Sequence, residues 1–95
     1  MSYKDNEKKV IDTRTFPEIW KSLNADYEQA ELRRSLIGSR CCSTSQTIWN
    51  WANGNTQPTE PLVLQKIAEV VSKFLTAQSD KGPIEVKYQT LFPSR

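Results

Sequence analysis

The chain has 95 residues, a net charge of +2 and 37% hydrophobic residues, which suits one small domain with one core and leaves no room for a second. No apolar run approaches the ~18 residues of a membrane span, and no apolar segment follows the N-terminus, so a cytoplasmic protein is expected, with no membrane contact. His is absent and the two cysteines, Cys41 and Cys42, are adjacent, so neither a bridge between distant parts of the fold nor a four-ligand zinc site is expected, and both thiols read as turn and core residues.

Residues 1–11 are polar and aperiodic and read as a disordered N-terminal arm. A first helix is expected over 16–24. Thr15 is a cap with Glu18 three positions on, Pro17 fits the first turn, and Phe16, Ile19, Trp20 and Leu23 have helical spacing. Asp26 can cap a second helix over 27–41, with Tyr27, Ala30, Leu32, Leu36, Ile37 and Cys41 tracing its buried side. Gly38 lies inside that helix. It suggests either a close approach of two helices or a helix end.

A third helix is expected over 45–53, capped by Ser43, with Gln46 completing a capping box, or by Thr44. Ile48 and Trp51 anchor it at i and i+3, and Gly54 suits the left-handed residue that ends it. Trp49 lies on another face and either packs under the next helix or stacks on sugar and thymine methyl. Pro58 and Pro61 break the chain before a fourth helix over 60–77. Leu62, Leu64, Ile67, Ala68, Val71, Phe74 and Leu75 give it a broad apolar stripe. Beyond Gly82-Pro83, residues 84–88 alternate apolar and polar, which suggests a short strand. The expected fold is all-α, a bundle of four to five helices with a possible short C-terminal strand. Its domain spans 12–79, and 80–95 form an extended tail.

Gly38, the sharp-turn candidate Cys42, then Ile48 and Trp51 have the spacing of a helix-turn-helix: supporting helix, tight turn, second helix. The charge distribution points the same way. Residues 12–32 hold five acids and two bases, a net of −3, whereas residues 33–73 hold five bases and two acids, a net of +3. A basic excess on the helix-turn-helix segment is what phosphate contact requires.

The run SQTIWNWANGNTQP, continuing into LQKIAEVV, resembles the phage Cro and repressor helix-turn-helix family. The resemblance rests on Gln46, Thr47, Ile48, Trp51, Gly54, Pro58, Lys66, Ile67 and Ala68 and covers about residues 31–72. The turn position, usually Gly in that family, is Cys42, and the apolar residue usually next is Ser43. The resemblance implies binding to double-stranded DNA, often as a dimer on two half-sites, with transcriptional regulation by a repressor of mobile-element type. Gln46 suits adenine, or serves the backbone as a capping-box residue. Ser45, Asn50 and Asn53 lie on the exposed side. Thr44 and Thr47 suit phosphate at the helix N-terminus. Trp49 is a candidate for sugar and methyl contact, and Arg33, Arg34 and Arg40 for phosphate.

Two other functional classes bear on the sequence. One is a helix-turn-helix fold used as a protein-interaction or DNA-packaging adaptor module, which the low net charge and the candidate exposed aromatics Trp49 and Tyr88 favour. The other is an enzyme, which is not expected: the chain has no Gly-rich phosphate loop, no Ser-base pair and no clustered carboxylates. No cofactor and no metal is expected. The tail from Ile84 to Phe92 is a candidate for joining a homodimer through an unpaired strand edge, or else folds back on its own helices.

Overall fold

Local signals set the first helix, and a non-local pairing closes the fold. The computed structural model describes residues 10–41, 44–80 and 82–93. The elements in chain order are β1 (Val10–Asp12), α1 (Phe16–Ser22), α2 (Glu28–Gly38), α3 (Ser45–Ala52), α4 (Pro61–Gln78), β2 (Ile84–Val86) and α5 (Tyr88–Leu91). The chain is mostly helical, as expected, but it is not all-α.

Both halves of the capping box at α1 form. The Glu18 N–H donates to Thr15 Oγ1 at 3.4 Å, and the Thr15 N–H donates to Glu18 Oε1 at 2.9 Å. The start of α2 differs from the expected one. Its N-cap is Tyr27, which is 69% exposed, and Asp26 does not cap. Asn24 organises the turn instead: its Oδ1 accepts from the Asp26 N–H at 2.9 Å, and its carbonyl accepts from the Gln29 N–H at 3.0 Å. Gln29 Nε2 then donates to the carbonyl of Trp20 at 2.8 Å, a second bond to an acceptor at the end of α1 that also receives the Leu23 N–H. Leu32 and Leu36, one turn apart, form the fully buried face of α2.

α2 stops at Gly38, three residues short of the expected end. Gly38 is exposed, and a Cβ placed on it meets no atom within 4 Å, so no helix approaches closely there. The stop itself is made by Arg40, whose φ is 64°. The Arg40 N–H donates to the Ile37 carbonyl and the Cys41 N–H to the Leu36 carbonyl, both at 3.0 Å. This is the paired-bond ending in which a left-handed residue turns the chain back over the last helical turn. Leu36 and Cys41, the two positions that such an ending brings together, are both buried. α3 ends in the same way at Gly54, φ 75°, with the Gly54 N–H bonded to the Trp51 carbonyl and the Asn55 N–H to the Asn50 carbonyl.

The largest departure from expectation is at the ends. Val10 and Ile11, read as part of an unstructured arm, form β1, which pairs in parallel with β2 in the register Val10↔Ile84, Ile11↔Glu85, Asp12↔Val86. Residues 1–9 lie outside the described residues. The other side of β2 is satisfied by α4. Thr76 Oγ1 accepts from the Ile84 N–H at 2.9 Å and donates to the Ile84 carbonyl at 3.1 Å, and Ser72 Oγ accepts from the Val86 N–H at 2.8 Å. The spacing permits this. Four helical residues advance roughly 6 Å and two strand residues about 6.6 Å, so hydroxyls at i and i+4 stand opposite alternate strand residues. The tail edge read as available to a second chain is therefore occupied from within.

α5 then delivers Leu91 and Phe92 into the core, where both are buried. Phe92 stacks on Phe16 with ring centroids 5.4 Å apart and meets Trp51 edge-on at 5.8 Å. Phe16 and Trp51 are themselves 6.2 Å apart, edge to face. One aromatic cluster thus joins the start of α1, the buried face of α3 and the C-terminal segment. Ile19, Ile48, Ile67 and Val71 are also fully buried. Leu62, expected in the α4 stripe, is 79% exposed.

At the end of β1, Asp12 and Arg14 form a bidentate pair: Arg14 Nη2 lies 2.7 Å from Asp12 Oδ2, and Nε lies 3.0 Å from Oδ1. Arg14 Nη1 also reaches Ser22 Oγ at 3.2 Å, fastening the strand end to α1. The guanidinium hydrogen bonds hold the Asp12 carboxyl below its ordinary value. Among the described residues, no helix is long and apolar enough to cross a membrane.

Candidate nucleic-acid interface

α3 has two sharply different faces. Ile48, Trp51 and Ala52 are buried, and Ser45, Gln46, Trp49 and Asn53 are exposed. Thr47 and Asn50 lie at the boundary, half-buried. The helical period explains the division: positions 45, 46, 49 and 53 share one side, and 48, 51 and 52 share the other.

Thr44 is the N-cap. Its Oγ1 accepts from the Thr47 N–H at 3.3 Å and lies 3.1 Å from Thr47 Oγ1. Thr47 is therefore the third helical residue, and Gln46 the second, outside the reciprocal position of that cap. Ser43, the alternative cap, and Cys42, the expected turn, lie outside the described residues. Gln46 is exposed, and the Thr44 cap is bonded by Thr47 and not by Gln46. The two threonines are partly committed to each other. Asn53 is exposed, but its Nδ2 donates to the Trp49 carbonyl at 2.8 Å, which holds it over the helix end.

Trp49 does not pack under α4. It is 55% exposed and lines an open cleft of about 300 Å³ together with Trp20, Arg33, Ser45, Gln46 and Ile48. This cleft gathers four of the ten candidate residues, Arg33, Ser45, Gln46 and Trp49, on the surface between α1, α2 and the first turns of α3. Arg34 is exposed one position further round α2 and does not line it. Arg40 is exposed on the turn, where its main role is conformational.

Trp20 is the residue that sequence reasoning missed as a site component. Its helical spacing with Phe16 and Ile19 marks it as core, and one side of it is: it stacks on Phe16 at 5.8 Å. The other side forms a cleft wall. The available signal was its position one turn beyond Phe16, where an indole is too large for the edge of a small core to cover fully.

Among the described residues, no group of three or more His, Cys, Asp or Glu side chains is placed to hold a metal ion. In comparisons with known proteins, no family model, no curated protein and no solved structure matches the chain.

Proposed function

We propose that this chain is a small sequence-specific DNA-binding protein in which α2 and α3 act as a helix-turn-helix, α3 is the recognition helix, and bound protein represses transcription by blocking polymerase. The observation that carries this reading is the exposed stripe of α3. Gln46 stands on it without serving Thr44, beside Ser45 and Trp49, and Arg33 stands across the cleft. A glutamine amide pairs with adenine through N6 and N7. The free N–H groups of the first turn and Arg33 suit phosphate, which positions the helix without reading sequence. The net charge of +2 understates the electrostatic attraction, because the basic excess lies in residues 33–73. Two copies on adjacent half-sites would complete the block, assembled without the tail edge that β1 and α4 already occupy.

The test is a titration of random and selected duplex DNA across a salt series. Affinity is expected to fall steeply with salt. Gln46→Ala is expected to weaken binding to the selected duplex by roughly 5- to 150-fold, the equivalent of ~1–3 kcal/mol, with the thermal midpoint unchanged. Absence of duplex binding at about 50 mM salt, where a phosphate-contacting protein binds far more tightly than at physiological salt, would overturn the reading. It would favour the alternative, a protein-interaction or DNA-packaging adaptor module that uses the exposed Trp49 and its cleft.

A further inference from the structure

We infer that Trp49 is a specificity residue that selects a thymine by its 5-methyl group, next to the base pair read by Gln46. The inference rests on the DNA-binding reading and adds to it the identity of a second base.

The argument begins with an unfavourable exposure. An indole that leaves 55% of its surface in water, on a helix with a well-formed buried face, contributes little to folding. Its neighbours define what it can meet. Gln46 is three residues earlier and Ser45 four, so all three lie on one face of α3. The advance from Gln46 to Trp49 is roughly 4.5 Å along the helix, against ~3.4 Å between stacked base pairs. The two side chains therefore address neighbouring pairs when α3 follows the major groove.

The chemistry of the groove then narrows the choice. Guanine presents N7 and O6, adenine N7 and N6–H, and cytosine N4–H, all of which need polar partners. Thymine alone presents an apolar group, the C5-methyl, with the O4 acceptor beside it. An indole matches both, with an apolar edge and one N–H donor. A polar base edge placed against it would lose hydration without a full set of replacements. The cleft beside Trp49 is lined by the apolar Trp20 and Ile48 and by Arg33. Methyl and deoxyribose fit the apolar part, and the guanidinium suits the phosphate of the same nucleotide.

The experiment takes the duplex selected from a random pool by the full chain and replaces its thymines one at a time with deoxyuridine, which removes only the methyl. One position is expected to lose about fourfold in affinity, the equivalent of ~0.8 kcal/mol for one buried methyl. It should lie next to the adenine whose readout is lost in Gln46→Ala. Trp49→Ala is expected to bind the thymine and deoxyuridine duplexes equally, and Trp49→Phe to retain part of the difference. An unchanged thermal midpoint in Trp49→Ala is expected from its exposure and separates lost reading from lost folding. If no deoxyuridine substitution matters, or if Trp49→Ala keeps the full discrimination, the thymine assignment is wrong while DNA binding stands. If no pool yields a bound duplex, the DNA-binding reading fails and the assignment fails with it.

Discussion

Arg40→Gly tests the backbone account of the connection between α2 and α3. Arg40 holds φ 64°, in the left-handed region, and both hydrogen bonds that end α2 depend on that conformation. For a residue with a Cβ, this region costs roughly 1–2 kcal/mol, because Cβ crowds the following carbonyl. Glycine removes that cost, but its unfolded chain is freer, which takes back about 0.5–1 kcal/mol. The balance is a gain of about 0.5–1 kcal/mol. For a domain of this size that raises the thermal midpoint by about 2–8 °C. Arg40→Ala is the control: it removes the same charge and leaves the Cβ in place, so its midpoint is expected to stay near that of the parent. Thermal unfolding followed by circular dichroism measures all three proteins. Any loss of duplex affinity common to both variants belongs to the charge, and any difference between them to the backbone. A glycine variant no more stable than the alanine variant would refute the reasoning.

Two further perturbations test the closure of the fold. Truncation after Ser79 removes Val86, Leu91 and Phe92 from the core and leaves β1 unpaired. Losing one buried aromatic alone costs about 3–5 kcal/mol, so the truncated chain is expected to lose its cooperative thermal transition, and a sharp transition near that of the full chain would contradict the packing. Asp12 titrates below the ordinary aspartate value of 3.8 because of its Arg14 hydrogen bonds. A lowered folded value means that its contribution is complete above about pH 4 and is lost as pH falls through that lowered value. The thermal midpoint of Asp12→Asn is therefore expected to fall less steeply than that of the parent between about pH 4 and pH 2. Parallel acid limbs for the two proteins would show that the pair contributes nothing.

What the sequence made legible was local. Thr15 with Glu18, Pro17 and Gly54 act within one helical turn, and each occupies its expected place. Ile48 and Trp51 identify the buried face of α3 because two large apolar residues at i and i+3 admit no other orientation. The end of α2 was placed three residues too late because its left-handed residue is Arg40 and not a glycine. The signal for it was the apolar pair Leu36 and Cys41 bracketing the stop, a pattern that works without glycine at a modest conformational cost. The sheet was missed for a different reason. β1 has three residues, and its partner lies more than 70 positions away, so no local pattern marks the pair. Thr76 and Ser72 carry no local signal of this role, and only the folded structure makes them the second edge of β2. At the site, the exposed side of α3 was legible from its period. The contribution of Trp20 depends on how α1 crosses α3, which spacing within one helix cannot report.

The aromatic cluster couples the C-terminus to the candidate interface without touching it. Phe92 lies against Phe16 at the start of α1 and against Trp51 on the inner face of α3. Phe16 stacks on Trp20, a wall of the cleft, and Trp51 anchors the inner face of the helix that carries Trp49, so Phe92 packs against rings that fix both α1 and α3 beneath the cleft. A tail truncation that weakens DNA binding would therefore not demonstrate a dimer. The same loss follows in a single chain once Phe16 and Trp51 are no longer wedged and the angle between α1 and α3 is released. Phe92→Leu separates the two explanations. It keeps an apolar side chain in the core and leaves β2 in its register, but it removes both ring contacts. Coupling through the core predicts weaker duplex binding with no change in sedimentation. Assembly through the tail predicts that affinity and sedimentation change together. Leu91 and Phe92 are inside the core and both sides of β2 are already paired, so the first outcome is the one expected.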